Sequence, residues 1–282
     1  MLLRFQLQAH HDTWVADLLL RCGAQPADSA AAFDACAWRG AFLSDTGCVR
    51  ASNEDRCALL TPTEDPLLRA KGVLAIVADG MGGHAAGEVA SGIAVDVIPT
   101  TYFESAAAPR SALLHAFDVA NERIFREGLA EESRHGMGTT CTALALLGRR
   151  LVWAHIGDSR LYQLRRGRLT QLTEDDSEVR HWIRRGWLTP RQARRHPQRN
   201  LLRFALGVEA SIQPACSPES ALARWGDRYL LCSDGLHDLV QEHEIHDVLA
   251  GCGPEEGCET FIQIARARGA PDNVTALIVG NA

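Results

Sequence analysis

Val-Leu-Ala-Ile-Val-Ala-Asp-Gly-Met-Gly-Gly, residues 73–83, is the stretch of sequence on which the fold depends most. Its apolar first part, rich in valine and isoleucine, predicts a buried strand that ends abruptly at Asp79-Gly80. The glycines at 80, 82 and 83 permit positive φ angles and let the backbone approach another group closely. A carboxylate beside a bare glycine carbonyl brings two hard oxygen ligands into one corner. On its own, this pattern fits an ordinary turn between a strand and a helix equally well.

Size and composition place the chain among soluble globular proteins. It has 282 residues, of which 46% are hydrophobic and 23% charged, enough for one large domain or two small ones. The formal net charge of −6 argues against general nucleic-acid binding. No apolar run reaches the roughly 18 residues that a membrane span needs, and the N-terminus does not resemble a signal peptide.

The nine cysteines are scattered and form no Cys-x-x-Cys pair. This spacing favours neither a zinc site nor a disulfide framework. Reduced thiols fit a reducing compartment best. We therefore expect a cytoplasmic protein.

The chain divides into a short extension and one domain. Residues 1–38 carry little pattern and are predicted as an N-terminal extension of uncertain structure, whereas residues 39–282 are predicted as a single domain. Tight turns, such as residues 148–150 and 165–168, join neighbouring short strands, which requires antiparallel pairing and disfavours a doubly wound parallel sheet. Ser111 predicts the start of a helix that runs to Glu131.

Residues 174–214 differ from the strands around them and are predicted as a flap. Between Asp176 and Arg203 lie eight arginines against two acids, on a protein that is acidic overall. A solvated helix face explains this charge as well as a basic flap that receives an anionic polypeptide does.

Carboxylates follow or precede several predicted strands. One aspartate at a strand end is ordinary turn chemistry, but several in one domain suggest a hard-cation site, because uncompensated carboxylates brought together would repel one another. Ligation by oxygen alone selects Mg²⁺ or Mn²⁺ over zinc. The candidates, each beside Gly, Ser or Asn or in a similar turn, are Asp79, Asp158, Asp234, Asp272, Glu54 and Asp55.

Arg50 stands four residues ahead of the Glu54-Asp55 pair. It fits a surface ion pair as well as a cation for an anionic substrate. Both alternatives stay open from the residues alone.

Six segments in order resemble the motifs of the metal-dependent serine/threonine protein phosphatases (PPM, type 2C) in their bacterial form. The resemblance covers about residue 39 to the C-terminus, and together the motifs are highly specific. Residues 196–200, His-Pro-Gln-Arg-Asn, are also typical of bacterial members. The six segments are Arg50 to Asp55, Asp79 to His84, Gly136 to Thr140, Gly157 to Arg160, Ser233 to Gly235 and Pro271 to Thr275.

The resemblance implies an α+β fold, a four-layer αββα sandwich of two antiparallel sheets flanked by helices, with a two-metal site at one edge. It also implies a set of ligands for Mn²⁺ or Mg²⁺. Asp79 would bridge the two ions, and the Gly80 carbonyl would ligate the second. Asp234 and Asp272 would ligate the first.

The remaining positions complete the implied site. Glu54 and Asp55 would hold the water shell, and Asp158, with Asp234, would serve a weaker third ion. Arg50 would bind the phosphate oxygens, for which its planar fork is better suited than a lysine.

The implied activity is hydrolysis of phosphoserine and phosphothreonine by in-line attack of a water or hydroxide that bridges the two metal ions. In two-metal sites such ions lie about 3.5–4 Å apart. No cysteine nucleophile is needed. Met81 occupies the position where animal members have a histidine proposed as general acid, so the leaving-group proton must come from elsewhere. Asp176 stands where many bacterial relatives carry histidine.

The implied partners are phosphorylated proteins, namely a bacterial serine/threonine kinase or its substrates, and we expect a monomer without nucleic acid. Three alternatives differ in role. They are a catalytically dead phosphoprotein-binding module of the same fold, a phosphatase of an anti-sigma pathway, and a scaffold or secretion-system regulator that docks through residues 1–38.

Overall fold

The structure, a computed structural model, describes residues 38–63, 65–82, 86–193 and 195–281 and the two-residue strand Thr13–Trp14. The predicted N-terminal extension, apart from that strand and Trp38, lies outside the described residues. The boundary of the domain at residue 39 therefore stays a prediction. No helix in the described ranges is both long and apolar enough to cross a bilayer.

The strands form two sheets, with antiparallel pairing throughout. The first has the order β1-β2-β12-β11-β8-β9, and the second the order β10-β7-β6-β4-β3, with β5 paired to β4. In chain order the strands are β1 (Thr13–Trp14), β2 (Trp38–Asp45), β3 (Asp55–Leu60), β4 (Val73–Met81), β5 (Gly138–Thr139), β6 (Cys141–Leu147), β7 (Arg150–Ile156), β8 (Arg160–Arg165), β9 (Arg168–Gln171), β10 (Ala215–Cys216), β11 (Arg228–Cys232) and β12 (Val274–Asn281).

Helices α2 and α3 cover the outer face of the second sheet, and α7 and α8 cover that of the first. In chain order the helices of the described residues are α1 (Asp65–Lys71), α2 (Ala86–Glu104), α3 (Pro109–Ala130), α4 (Glu178–Arg184), α5 (Pro190–Ala193), α6 (Asp234–His237), α7 (Glu242–Gly251) and α8 (Pro254–Ala267), with a 3₁₀ turn at Glu132–Arg134. The predicted start of a helix at Ser111 is wrong by two residues, because Pro109 occupies the first turn, where its missing N–H costs nothing.

The strand β4 shows why the opening stretch is apolar without interruption. Leu74, Ile76 and Ala78 pack in the cluster beneath α2 and α3, whereas Val73, Ala75 and Val77 pack in the cluster between the two sheets. Successive side chains of a strand point to opposite faces, so a strand covered on both faces is apolar at every position. A third cluster joins the first sheet to α7 and α8. These three cores confirm the predicted four-layer sandwich.

The predicted flap is a short excursion closed at its base. It contains α4 and α5, and Ser177 caps α4 by accepting a hydrogen bond from the Arg180 N–H at 3.4 Å. The two ends of the excursion pair like a small ladder, since Ser177 bridges Leu202 and the Arg203 N–H donates to the Asp176 carbonyl at 2.8 Å.

Candidate metal centre

Strand ends from both sheets meet at one edge of the sandwich and bring the predicted carboxylates together. Asp55 begins β3 directly opposite Asp79 near the end of β4. From the first sheet, Asp158 precedes β8, Asp234 follows β11 and Asp272 precedes β12. A cavity of about 210 Å³ opens between them. The site residues predicted from the sequence that line it are Arg50, Glu54, Asp79, Gly80, Asp158, Asp234 and Asp272. Asp55, also predicted, lies behind the wall of the cavity, 2% exposed.

Burial and mutual repulsion disfavour the charged form of these acids. The pKa of Asp79 is raised well above its usual range, first by burial and then by the negative charges of Asp55 and Asp234. Burial likewise raises the pKa of Asp158 and of Asp234. A site that gathers this much carboxylate in a low-dielectric edge requires a compensating cation or proton.

Asp55 tests whether the residues fit a metal. Its Oδ2 accepts hydrogen bonds from Ser233 Oγ at 2.8 Å and Thr275 Oγ1 at 2.6 Å, and burial nevertheless raises its pKa to about 7. Its Oδ1 is buried and has no hydrogen-bond partner among the described residues. An unsatisfied buried oxygen costs about 1–3 kcal/mol, so the orphaned oxygen and the oxygen-only donor set both fit a hard cation and its water shell.

Gly80 is required by the close approach of three segments. A Cβ at this position would lie 2.2 Å from the Gly87 carbonyl oxygen and 2.7 Å from the Glu54 carbonyl oxygen. The Gly80 N–H donates to that same Glu54 oxygen at 3.2 Å, and Ser91 Oγ donates to it at 2.6 Å. The start of β3, the end of β4 and the first turns of α2 are thereby fixed to one another.

Arg50 lies at the mouth of the cavity, and its side chain is 53% exposed. Its Nη2 donates to Asp272 Oδ2 at 2.7 Å, and this hydrogen bond raises the pKa of Arg50. The structure therefore shows Arg50 in an ion pair, and its partner Asp272 is a predicted metal ligand. The role of Arg50 as a cation for an anionic substrate stays a prediction.

The carboxylates line the cavity without closing on a single point. Within the described ranges, no three Asp, Glu, His or Cys side chains converge as a finished ligand set. Like charges repel, and Asp272 is held by Arg50. The ligand assignment accordingly stays a prediction.

Asn273 was not singled out by the sequence, yet it joins the loops around the cavity. Its Nδ2 donates to the Thr46 and Ser52 carbonyls, each at 2.9 Å, and its Oδ1 accepts from the Glu54 N–H at 2.9 Å. Ser233 and Thr275, which bind Asp55, were not predicted individually either. Their only signal was proximity to Asp234 and Asp272, since their hydrogen-bond partner is remote in sequence.

Two further positions gain a structural meaning. Met81 lines the cavity, where its thioether carries no proton to donate. Asp176 Oδ2 accepts from the Gly157 N–H at 3.1 Å, and burial raises its pKa to about 6. Asp176 thus connects the base of the flap to the turn that presents Asp158, while Asn200 and Leu202 extend the flap to the cavity.

Comparison with known proteins finds sequences and structures that are similar to this chain. The family model for protein phosphatase 2C matches residues 51–254. The serine/threonine protein phosphatase PstP of Mycobacterium tuberculosis is 41% identical over 244 residues, which cover 85% of this chain and 44% of PstP. The chain therefore spans less than half the length of that relative. The protein phosphatase PhpP of Streptococcus pneumoniae is 34% identical over 243 residues, 84% of this chain and 95% of PhpP.

One solved structure has the same fold and contains metal ions. The crystal structure of the catalytic domain of PstP in complex with two manganese ions has a TM-score of 0.74 and 38% identity, over 86% of this chain and 97% of that one.

Proposed function

This chain belongs to the protein phosphatase 2C family, and on that basis we propose that it hydrolyses phosphoserine and phosphothreonine in proteins with the help of Mn²⁺ or Mg²⁺. The observation that carries the proposal is the gathering of carboxylates from both sheets around one cavity with an arginine at its mouth. PstP, whose catalytic domain was crystallised with two manganese ions, supports the choice of metal and the number of ions.

The ligands that we propose are those of the motifs. Asp79 and the Gly80 carbonyl, with Asp234 and Asp272, would hold two ions. Glu54 and Asp55 would hold their water shell, as the orphaned Asp55 oxygen suggests. Asp158 would serve a third, weaker ion together with Asp234.

When bound, the two ions would acidify the attacking water and neutralise charge that develops on the phosphoryl oxygens. The chain's own contribution is to bind and orient the substrate. Arg50, exposed at the mouth, can donate two parallel hydrogen bonds to the phosphate. Met81 supplies no proton to the leaving group.

Two buried cysteines near the strand ends, Cys141 and Cys232, do not suit an alternative, covalent mechanism. Burial raises the pKa of the Cys141 and Cys232 thiols, which therefore stay protonated and poorly nucleophilic. All seven cysteines in the described part of the chain are free, and this supports our proposal of a reducing, cytoplasmic location.

The flap is proposed to contact the polypeptide around the phosphorylated residue. Arg180 and Arg184 bind Glu174, and Arg199 lies 3.6 Å from Asp238. Part of the positive charge of the flap is therefore compensated. Other flap arginines, among them Arg185, are exposed, and Arg194 lies outside the described residues. The partners that we propose are phosphorylated proteins of a bacterial serine/threonine kinase system, bound by a monomer without nucleic acid.

The proposal is tested by Mn²⁺-dependent hydrolysis of a phosphothreonine peptide. Asp79→Asn and Asp234→Asn are each expected to abolish turnover while circular dichroism shows an intact fold. Turnover near that of the wild type in either variant would refute the ligand assignment. Inactivity of the wild type with both Mn²⁺ and Mg²⁺ would instead favour a phosphoprotein-binding module.

A further inference from the structure

The end of the sandwich opposite the metal centre is a second distinctive surface. Cys141 and Ile156 pair at the metal-centre end of the β6–β7 hairpin, whereas Leu147 and Arg150 pair at its other end. The strand β8 likewise runs from Arg160 beside the cavity to Arg165 at the far end. A strand of six residues spans roughly 20 Å, which separates the two surfaces.

Five exposed arginines from three separate segments come together at this far end. The Arg149 carbonyl accepts from the Ala223 N–H at 2.9 Å, and Arg165, which donates to the Leu222 carbonyl at 2.6 Å, pairs across the β8–β9 turn with Arg168. Among the residues that the structure describes, none of the five forms an ion pair with a carboxylate, in contrast to Arg165, which binds Asp227. The five are Arg149, Arg150, Arg166, Arg168 and Arg224.

Two large apolar side chains protrude among them. Leu222 is 47% exposed and Trp225 is 64% exposed. The loop that carries them is fixed from below, since Asp227 accepts from the Arg224 N–H at 2.7 Å and from the Tyr229 hydroxyl at 2.9 Å. We call the five arginines with Leu222 and Trp225 the distal patch.

A depression of about 320 Å³ adjoins the distal patch. Its walls are the paired strands β8 and β9, and its lining side chains are Gln163, Arg165, Arg168 and Thr170. Each of these four side chains can donate a hydrogen bond into the depression. Because Arg165 also donates to the Leu222 carbonyl, the depression and the apolar loop are continuous.

We propose that the distal patch is a docking surface for an acidic segment of a partner protein, with an apolar residue of that segment seated against Leu222 and Trp225. Guanidinium groups without counter-charges favour carboxylates, which they bind in a bidentate manner. Tryptophan and arginine dominate the energetics of protein interfaces, and a loop already fixed in place loses little entropy on binding.

A protein segment fits this surface better than an anionic bilayer does. The exposed carboxylate of Glu219 stands on the same loop as Leu222, and a uniformly negative lipid surface would repel it, whereas a segment with discrete acidic residues can avoid it. Docking here leaves the cavity at the opposite edge open. The distal patch would accordingly tether the enzyme to a partner rather than present a substrate to the metal centre.

The test uses a short fluorescein-labelled peptide of glutamates interrupted by two leucines, with binding followed by anisotropy. Arg149→Glu combined with Arg168→Glu, and separately Trp225→Ala, are expected to weaken binding about tenfold or more. The control is Arg123→Glu combined with Arg126→Glu on α3, which makes the same change in net charge at exposed positions and should leave binding unchanged. Turnover of p-nitrophenyl phosphate should be the same in all of these proteins.

Several results would overturn the proposal. They are equal peptide binding by the wild type and the distal-patch variants, equal weakening in the α3 control, and no binding of the peptide by the wild type. A parallel measurement with phosphatidylserine vesicles at the same salt concentration covers the alternative, and tighter binding of the vesicles than of the peptide would assign the surface to a membrane instead.

Discussion

Replacing Gly80 by alanine should destabilise the protein next to the site, because a methyl group is added where no space exists. The new Cβ would lie 2.2 Å from the oxygen and 2.5 Å from the carbon of the Gly87 carbonyl. Both are backbone atoms, which cannot rotate away as a flexible side chain could. The third close atom, the Glu54 carbonyl oxygen at 2.7 Å, already accepts hydrogen bonds from Gly80 and Ser91.

Overpacking a tight interior typically costs about 1–3 kcal/mol, and a clash with fixed backbone belongs at the upper end of that range. We therefore expect Gly80→Ala to lower the free energy of unfolding by about 3 kcal/mol. With a shift of roughly 2–4 °C for each kcal/mol in a domain of this size, the melting temperature should fall by roughly 6–12 °C.

The measurement is urea unfolding in the presence of EDTA, so that stability is separated from metal binding. The matched control is Gly92→Ala, in the same helix that Gly87 begins to form. A Cβ at Gly92 meets nothing within 4 Å, and alanine in a helix interior is favoured over glycine by roughly 0.5–1 kcal/mol. The two variants should shift stability in opposite directions. A Gly80→Ala protein as stable as the wild type would refute the close packing of the three segments.

Three further outcomes are expected. Replacing four flap arginines by neutral residues should reduce turnover of a phosphoprotein more than turnover of p-nitrophenyl phosphate. The four are Arg184, Arg185, Arg194 and Arg195. Equal losses on both substrates would argue against a docking flap. Asp176→Ala should lower turnover of p-nitrophenyl phosphate more than Asp176→Asn, which keeps an acceptor for the Gly157 N–H, and equal rates would show that this hydrogen bond does not position Asp158. His155 is buried, and burial lowers its pKa to about 4, so protonation of the histidine favours the unfolded chain as the pH falls from about 6.5 to 4. Across that window the wild type should lose up to about 3 kcal/mol more stability than His155→Gln, as measured by urea unfolding at each pH. Parallel pH profiles of the two proteins would contradict this.

Much of the fold was predictable because local rules act within short stretches. The uninterrupted apolar run of β4 predicted a buried strand, and the abrupt stop at Asp79-Gly80 marked where that strand ends. Tight turns between short strands required antiparallel pairing. The four-layer arrangement itself was implied by the family resemblance, and the structure confirms it.

The contacts beneath the site were not predictable in the same way. Ser233 and Thr275 bind Asp55 across 178 and 220 residues of sequence, and no local pattern encodes such a pairing. The surface distribution of positive charge was not predictable from the sequence either. The arginines of the flap are conspicuous in sequence, but several bind acids, whereas those of the distal patch are scattered along the chain and meet only after folding.

The hydrogen bonds of Asp55 also bear on how the protein is made. Asp55 begins a strand of the second sheet, whereas its two hydroxyl partners come from the first, with Ser233 directly after β11 and Thr275 in the last strand, β12. A chain emerging from the ribosome must therefore be synthesised through β12 before the two sheets can be joined at this point. Contacts so distant in sequence form late and slowly. Because Asp272 also directly precedes β12, the candidate metal centre cannot be assembled until that strand has been synthesised.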